Sequence, residues 1–552
     1  MTTAGLRRLL PRGDDYRGLR RSWPRDLLAG ATVAVVALPL ALGFGVASGL
    51  GAEAGLVTAI VAGVVAGVFG GSHVQVSGPT GAMTVVLVPV VASIGPGGVV
   101  VVALLAGLLL MAAGAARLGR YASVLPWPVV EGFTVGIALL IFLQQVPAAL
   151  GVERPEGENT ATVAIRAAGD WAGAGWTSLA VVGLVAAVML ALPRAHRTLP
   201  ASLAAVALAT ILAEAAGLSV ARIGEIPAVI PTPSLPDVAL SDLPGLLGAV
   251  VAVAALAAVE SLLSAKVADG MSDGSRHDPD RELVGQGMAN VAVSFCGGMP
   301  ATGAIARTAV NVKAGARTRV AAVFHGAVLL LIAVALVPLL ERVPLAALAG
   351  VLMVTAVRMV EGGTVGRILR STRSDALLLL VTAAATVVFD LVVAVGVGFA
   401  LASLLALRAM AESTTFDRDE PSLHVVDPEL EHALLHEHVV VYRLDGALFF
   451  GAAERFLLEL TEVADVEVVI LRLGRLRVLD STGAQALGHL VEHLQHRGIT
   501  VLLAGARAEH RVLLHRVGVL EVLAHESHLL PSIDAALAHA RVHHLRNRAL
   551  AA

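Results

Sequence analysis

The chain has 552 residues; 56% are hydrophobic before its 56 glycines are counted, 15% are charged, and the net charge is -3. A soluble domain averages roughly 45–50% apolar with glycine included and about 25% charged, so this chain cannot hide its apolar surface in water, whereas a bilayer would solvate it. One cysteine, Cys296, excludes an intramolecular disulfide and a cysteine-built metal site, and the charge balance gives no reason to expect a nucleic-acid partner.

Residues 1–25 carry Arg7, Arg8, Arg12, Arg17, Arg20, Arg21 and Arg25 ahead of any long apolar run. That density reads as a basic cytoplasmic arm rather than a cleavable signal. From 26 to 408 the chain is a series of apolar runs broken by glycine, proline and short charged loops. A crossing helix needs about 20 apolar residues. The runs fall at 26–48, 52–70, 79–93, 98–117, 126–146, 172–193, 199–217, 242–266, 282–297, 303–314, 319–340, 343–361, 374–390 and 392–408. The third and tenth are too short to cross as helices. Basic residues collect at Arg117/Arg120, Arg194/Arg197, Lys266 to Arg281, Lys313/Arg317/Arg319, Arg367/Arg370/Arg373 and Arg408. With the N-terminus inside, every cluster then falls on a cytoplasmic loop, and both termini are cytoplasmic. The expectation is an α-helical polytopic protein of the cell's inner (plasma) membrane with fourteen spans.

Residues 409–437 are mixed and acidic and read as a linker. In 438–552, strand-like runs at Val439–Leu444, Val466–Leu471 and Thr500–Leu503 alternate with helix-like segments at Ala452–Val463, Gly483–His496 and Glu509–Val517. That alternation predicts a small soluble α/β domain.

An internal repeat points to the site. Thr80-Gly81-Ala82-Met83 and Thr302-Gly303-Ala304-Ile305 each follow a Gly/Pro-rich approach and each open a short apolar helix. They occupy the third span of the first seven and the third of the second seven. Seven is odd, so the halves are inverted, and short interrupted segments at matching positions mark a transporter binding site. Each half-helix would begin near the midplane with unpaired N–H groups and partial positive charge, a trap for an anion. The N–H groups of Gly81, Ala82, Gly303 and Ala304 are expected to surround the substrate. Arg307, one turn into the second half-helix, would add a full positive charge; a structural ion pair is the alternative reading. Glu260, mid-span in the eighth run, is an expensive carboxylate that would carry a proton or bind a cation, unless it forms a fixed pair with Arg307. Glu131 and Asp390 fall at span ends and read as interfacial. Histidines cluster at His432, His436, His438 and at His539, His543, His544. Their i, i+4 spacing suits a metal, but no cysteine or paired carboxylate completes a site, so no metal is expected. No Walker motif, HExxH or nucleophile elbow is present, and neither a cofactor nor an enzymatic activity is expected.

Four segments together resemble the SulP family, the sulfate permease and prestin group: Gln75-Val76-Ser77-Gly78-Pro79-Thr80-Gly81-Ala82, Glu260-Ser261-Leu262-Leu263, Glu282-Leu283-Val284-Gly285-Gln286-Gly287, and Ala306 through Gly315. Leu479-Asp480-Ser481-Thr482-Gly483 resembles the signature loop of a STAS domain. The resemblance implies a 7+7 inverted-repeat fold with half-helices 3 and 10, a mobile core moving against a gate like an elevator, and a homodimer. It implies a substrate held among Thr80, Gly81, Ala82, Thr302, Gly303, Ala304, Ile305 and Arg307. The substrate class is sulfate, bicarbonate, chloride or C4-dicarboxylate. The motifs are particularly similar to bacterial proton-coupled dicarboxylate members. Leu40 after Pro39 departs from the glutamine of many sulfate carriers. Glu260 stands where sodium-coupled bicarbonate members tend to have aspartate, which favours proton over sodium coupling. Ser481 and Thr482 keep hydroxyls where some STAS domains are phosphorylated. The expected function is secondary active anion transport; sodium-coupled bicarbonate transport, or a STAS-based membrane sensor with residual transport, are the alternatives.

Overall fold

The computed structural model describes residues 9–16, 19–120, 126–155, 159–171, 176–195, 199–226, 243–272, 276–389, 391–412, 415–418, 438–449 and 466–551. Arg7, Arg8, Arg17, Arg197, Asp390, His432, His436 and the helix expected over 452–463 lie outside these ranges. The chain separates into two compact units, Met1–Phe399 and Ala400–Ala552.

The membrane helices run in chain order as α1 Leu19–Ala47, α2 Ala52–Phe69, α3 Gly81–Ser93, α4 Pro96–Ala115, α5 Trp127–Gln144, α6 Trp176–Ala195, α7 Ala201–Ala215, α8 Leu243–Met271, α9 Pro279–Phe295, α10 Ile305–Lys313, α11 Val320–Ala335, α12 Leu345–Met359, α13 Arg373–Val388 and α14 Leu391–Glu412. Each answers one of the apolar runs. Among the described residues, seven helical stretches are long and apolar enough to cross a membrane by themselves. The shortest elements are α3 and α10, and their starts have a chemical cause. Pro79 and Pro300 lack an N–H and force the residue before them out of the helical region. Ahead of Pro300, Gly297 ends α9 at φ 67°, a conformation other residues adopt only under strain.

Helices sort into two packing groups. α1, α2, α4, α8, α9 and α11 pack on one another, and α5 packs on α12 and α13, with α12 also against α6. Small residues set a close crossing: a Cβ on Gly107 of α4 would stand 2.7 Å from the Gly287 carbonyl of α9, and one on Gly287 would stand 2.5 Å from the Gly107 carbonyl. Without side chains there, two backbones touch, and dispersion rather than a hydrophobic drive holds the pair in lipid.

Loops from alternate helix ends meet on the same side. The 3-10 turn Gly13–Tyr16 places Asp15 against Arg281, which donates from both guanidinium nitrogens at 2.9 and 2.7 Å. Arg319, ahead of α11, lies 4.0 Å from the same carboxylate and donates to the carbonyls of Gly67 and Gly70 at the end of α2. Gly119, after α4, donates to Asp280 in the first turn of α9 at 3.0 Å. The opposite connections meet each other: Ile223 donates to the Val343 carbonyl at 3.0 Å and Gly224 to Glu341 at 3.2 Å. The loops after α2, α4, α8 and α10 therefore share one face with the 3-10 turn Gly13–Tyr16.

Burial alone would raise the Asp15 carboxyl; the hydrogen bonds from Arg281 and the Arg12 N–H, with the charges of Arg319 and Arg281, outweigh it and hold the group at about 2. Because the folded value lies below the ordinary 3.8, the bridge contributes fully above that pH and is lost as the pH falls through about 2. Asp15→Ala leaves two buried guanidiniums uncompensated. The expected cost is about 3–5 kcal/mol, read as a lower thermal midpoint of the purified protein at pH 7; an unchanged midpoint would show that the arm is not latched.

The second unit is an α/β domain. Its strands are β3 Thr415–Arg418, β4 Val439–Leu448, β5 Val468–Arg472, β6 Leu476–Leu479, β7 Thr500–Ala504 and β8 Leu529–Leu530, in the order β3-β4-β5-β7-β8 with β6 beside β4. β3 is antiparallel to β4; the other pairs are parallel. Part of the stretch read as linker is thus an edge strand, a piece too short for periodicity to reveal. Helix α15 (Ser481–His496) buries Leu487, Leu490 and Leu494 on the face carrying Val469, Leu471 and Leu503. α16 spans Ala508–Arg516, and α17 (Ile533–Ala551), which the sequence reading missed, packs Ala536, Leu537 and Ala540 on the opposite face against Ile470 and Leu502. Ser481 and Thr482 are exposed at the start of α15, where the Asp480 carboxylate accepts from the Gly483 N–H at 2.7 Å.

Candidate anion site

The two interrupted segments meet. Ser77–Gly78 (β1) and Thr302–Gly303 (β2) pair antiparallel, Ser77 opposite Gly303 and Gly78 opposite Thr302. Extended backbone within a membrane must be satisfied by protein, and named side chains do this. Asn290 of α9 reads Ala301 like a strand partner, donating to its carbonyl at 2.9 Å and accepting its N–H at 2.8 Å. Gln286 donates to the Ser77 hydroxyl at 2.6 Å, the Met299 N–H donates to Thr58 at 2.7 Å, and Asn311 donates to the Val74 carbonyl at 2.8 Å. Thr308 Oγ1 accepts from the Val76 N–H at 3.1 Å and from Ser264 at 3.0 Å. Sequence reasoning did not assign Asn290, Thr58, Ser264 or Thr308; a lone polar residue in an apolar run was their only signal.

Successive residues of α8 then hold the two half-helix starts. Glu260 Oε2 accepts from the Thr80 hydroxyl at 3.0 Å. Ser261 Oγ lies 3.0 Å from Thr302 Oγ1 and accepts the Gly303 N–H at 2.9 Å. Thr80 is the N-cap of α3, yet its hydroxyl points to Glu260 rather than back to its own helix. Ala304, the N-cap of α10, has no side chain with which to cap. The first turns of both helices therefore lack side-chain caps, and their N–H dipoles are left without a side-chain partner. Thr80 and Glu260 are half-buried and Ile305 and Ala306 exposed.

One expectation is corrected, and one alternative is set aside. The Gly303 N–H is already given to Ser261, and the Ala304 N–H donates to the Val76 carbonyl at 2.9 Å. In the second half the N–H groups without an intrahelical partner are those of Ile305, Ala306 and Arg307, starting two residues further on. Gly303 matters instead for space, since a Cβ there would land on the Gln75 side-chain amide and lie 3.0 Å from Ser261 Cα. Secondly, no ion pair joins Glu260 and Arg307. Arg307 is 2% exposed, donates to the Pro79 carbonyl at 3.1 Å and leaves Nη1 without a partner. Its guanidinium lies beside Gly78, behind the start of α3. Gln75, also buried with both amide atoms unpartnered, was not singled out from sequence. Glu131 accepts from the Trp127 indole at 3.1 Å in an exposed setting near the start of α5.

Paired half-helix starts, a carboxylate between them and a buried guanidinium define an anion carrier of inverted-repeat architecture. The sulfate permease family matches residues 24–382 and the STAS domain residues 432–536; the chain belongs to that family. It is 35% identical over 509 residues to the "Putative sulfate transporter YvdB" of Bacillus subtilis, covering 90% of this chain and 94% of the relative. It is 30% identical over 522 residues to the "Bicarbonate transporter BicA" of Picosynechococcus sp., covering 89% and 90%. The solved transmembrane domain of a cyanobacterium bicarbonate transporter BicA superposes with TM-score 0.64 at 31% identity, over 68% of this chain and 98% of that one. The murine Solute Carrier 26 family member A9 anion transporter in the inward-facing state superposes with TM-score 0.85 at 19% identity, over 98% and 95%, a likeness of fold.

Proposed function

We propose that the protein is a proton-coupled secondary transporter of a small anion of the sulfate, bicarbonate or C4-dicarboxylate class. One observation carries the reading: the Thr80 hydroxyl ties Glu260 to the start of α3, where an anion would bind. An anion arriving there places negative charge beside the carboxylate and favours its protonated form. By reciprocity the bound proton strengthens anion binding, and the loaded site crosses the barrier with less net charge than the anion alone. The two helix packing groups supply a core and a gate for elevator-like movement, and a homodimer would anchor the gate.

The test of substrate and coupling is uptake into proteoliposomes of radiolabelled sulfate, bicarbonate, succinate and fumarate under imposed proton or sodium gradients. Accumulation of one of them driven by an inward proton gradient is expected. Sodium-driven bicarbonate uptake without proton dependence would replace the reading. The basic arm and arginine-rich loops favour a cytoplasmic side for both termini. With Cys296 changed to alanine, a cysteine replacing exposed Glu492 on α15 should be shielded from an impermeant thiol reagent in intact cells; labelling from outside would invert the topology.

A further inference from the structure

The second unit carries a cluster of imidazoles that transport does not use. His528 ends a 3-10 turn, Glu526–His528, and passes directly into β8, whose Leu529 pairs with Leu503 of β7. α17 begins a few residues later and is pinned to the sheet by Ala536, Leu537 and Ala540. One turn apart on that helix, His539 and His543 come beside His528. The ring centroids are 5.4 Å apart for His528–His539, 5.2 Å for His528–His543 and 5.1 Å for His539–His543. One ring nitrogen of each lies within 4.8 Å of one from each of the others. His528 is 4% exposed, and its Nδ1 is buried without a hydrogen-bond partner.

That orphaned nitrogen needs explanation, because a buried polar atom without a partner is costly. We propose that His528, His539 and His543 bind a divalent transition metal, best matched by Zn2+, through three imidazoles with a fourth position open. Three nitrogen donors without a carboxylate suit Zn2+, Ni2+ or Cu2+ and not Mg2+ or Ca2+. Zinc–nitrogen bonds of about 2.0–2.1 Å in a tetrahedron need donors about 3.4 Å apart, so closure takes roughly an ångström of side-chain rotation. Protonation favours the site as well. Burial, then neighbouring His543, His539, His525 and Arg546, hold His528 down at about 4, and burial with His539 and Arg546 lowers His543. Both shifts favour the neutral imidazole, the form that ligates. Arg546 is the opposing cation, and it is exposed, free to turn its charge into water.

A second group, His438–Glu467–His544, is a different case. There the carboxylate already holds both rings, each at 3.2 Å, so no donor in it is left wanting.

The test uses the full-length purified protein, dialysed free of metal and titrated with Zn2+ against a chromogenic chelator. One equivalent per chain should bind with a dissociation constant at or below about 1 µM, and Co2+ should give the intense visible bands of a four-coordinate site. His539→Ala and His543→Ala, at positions that are not buried, should each weaken binding at least about tenfold, since even second-sphere losses cost that much; the double variant should lose the tight equivalent while keeping its circular dichroism. His489→Ala/His493→Ala, an exposed i, i+4 pair on α15, and His438→Ala/His544→Ala should bind as the parent does. Absence of a tight equivalent in the parent overturns the proposal. So does retention of it in His539→Ala/His543→Ala, or its loss in either control pair.

Discussion

Glu260→Gln should still bind and exchange substrate across the membrane but fail to accumulate it under an inward proton gradient. The amide keeps the size of the carboxyl and can still accept from the Thr80 hydroxyl, now at 3.0 Å, so the geometry of the α3 start survives. What is lost is the proton, and with it the link between the pH difference and the anion. Exchange needs only a site that binds on both sides, whereas accumulation needs the carboxylate to change charge once per cycle. The loss of accumulation should be essentially complete, with exchange within a few-fold of the parent. If Glu260→Gln accumulates substrate as well as the parent while a sodium gradient drives uptake in the parent, the carboxylate is only a structural acceptor for Thr80.

Arg307→Ala should weaken substrate binding at least tenfold, about 1.4 kcal/mol. The guanidinium is buried behind α3, held by the Pro79 carbonyl, and its charge acts at short range in a medium that screens poorly. Arg307→Lys keeps the charge but gives up the planar fork that reaches Pro79, and should fall between the parent and alanine. Binding is measured on detergent-purified protein whose thermal midpoint is recorded alongside, so lost affinity is separable from lost fold. Unchanged affinity in a folded Arg307→Ala would leave Arg307 as a brace between the two half-helices and place the anion's charge on the helix dipoles alone.

The gross plan was readable because hydropathy adds along the chain. Each apolar run became a helix, and Pro79 and Pro300 marked where α3 and α10 must start late. Glu260 was conspicuous because a carboxylate in lipid is expensive. Less was readable where the partner is remote. The acceptor for the Ala304 N–H is the Val76 carbonyl and that for the Gly303 N–H is the Ser261 hydroxyl. No local pattern announces either, so the donors were placed two residues too early. The helix α17 was missed because its alanines and histidines show little amphipathic contrast, and β6 and β8 because four and two residues carry too little periodicity to detect.

By itself, the sequence determined that this chain is a multi-pass membrane protein with two matching half-helices and an α/β domain, because those follow from the cost of burying polar backbone in lipid and from periods repeated along one segment. Only the tertiary structure decided that Glu260 holds Thr80 rather than Arg307, that Arg307 sits behind the half-helix rather than in front of it, and that His528 joins His539 and His543. A side chain's partner depends on the register between distant elements, 228 residues apart for Arg307 and Pro79, and packing of whole helices and strands, not local preference, sets that register.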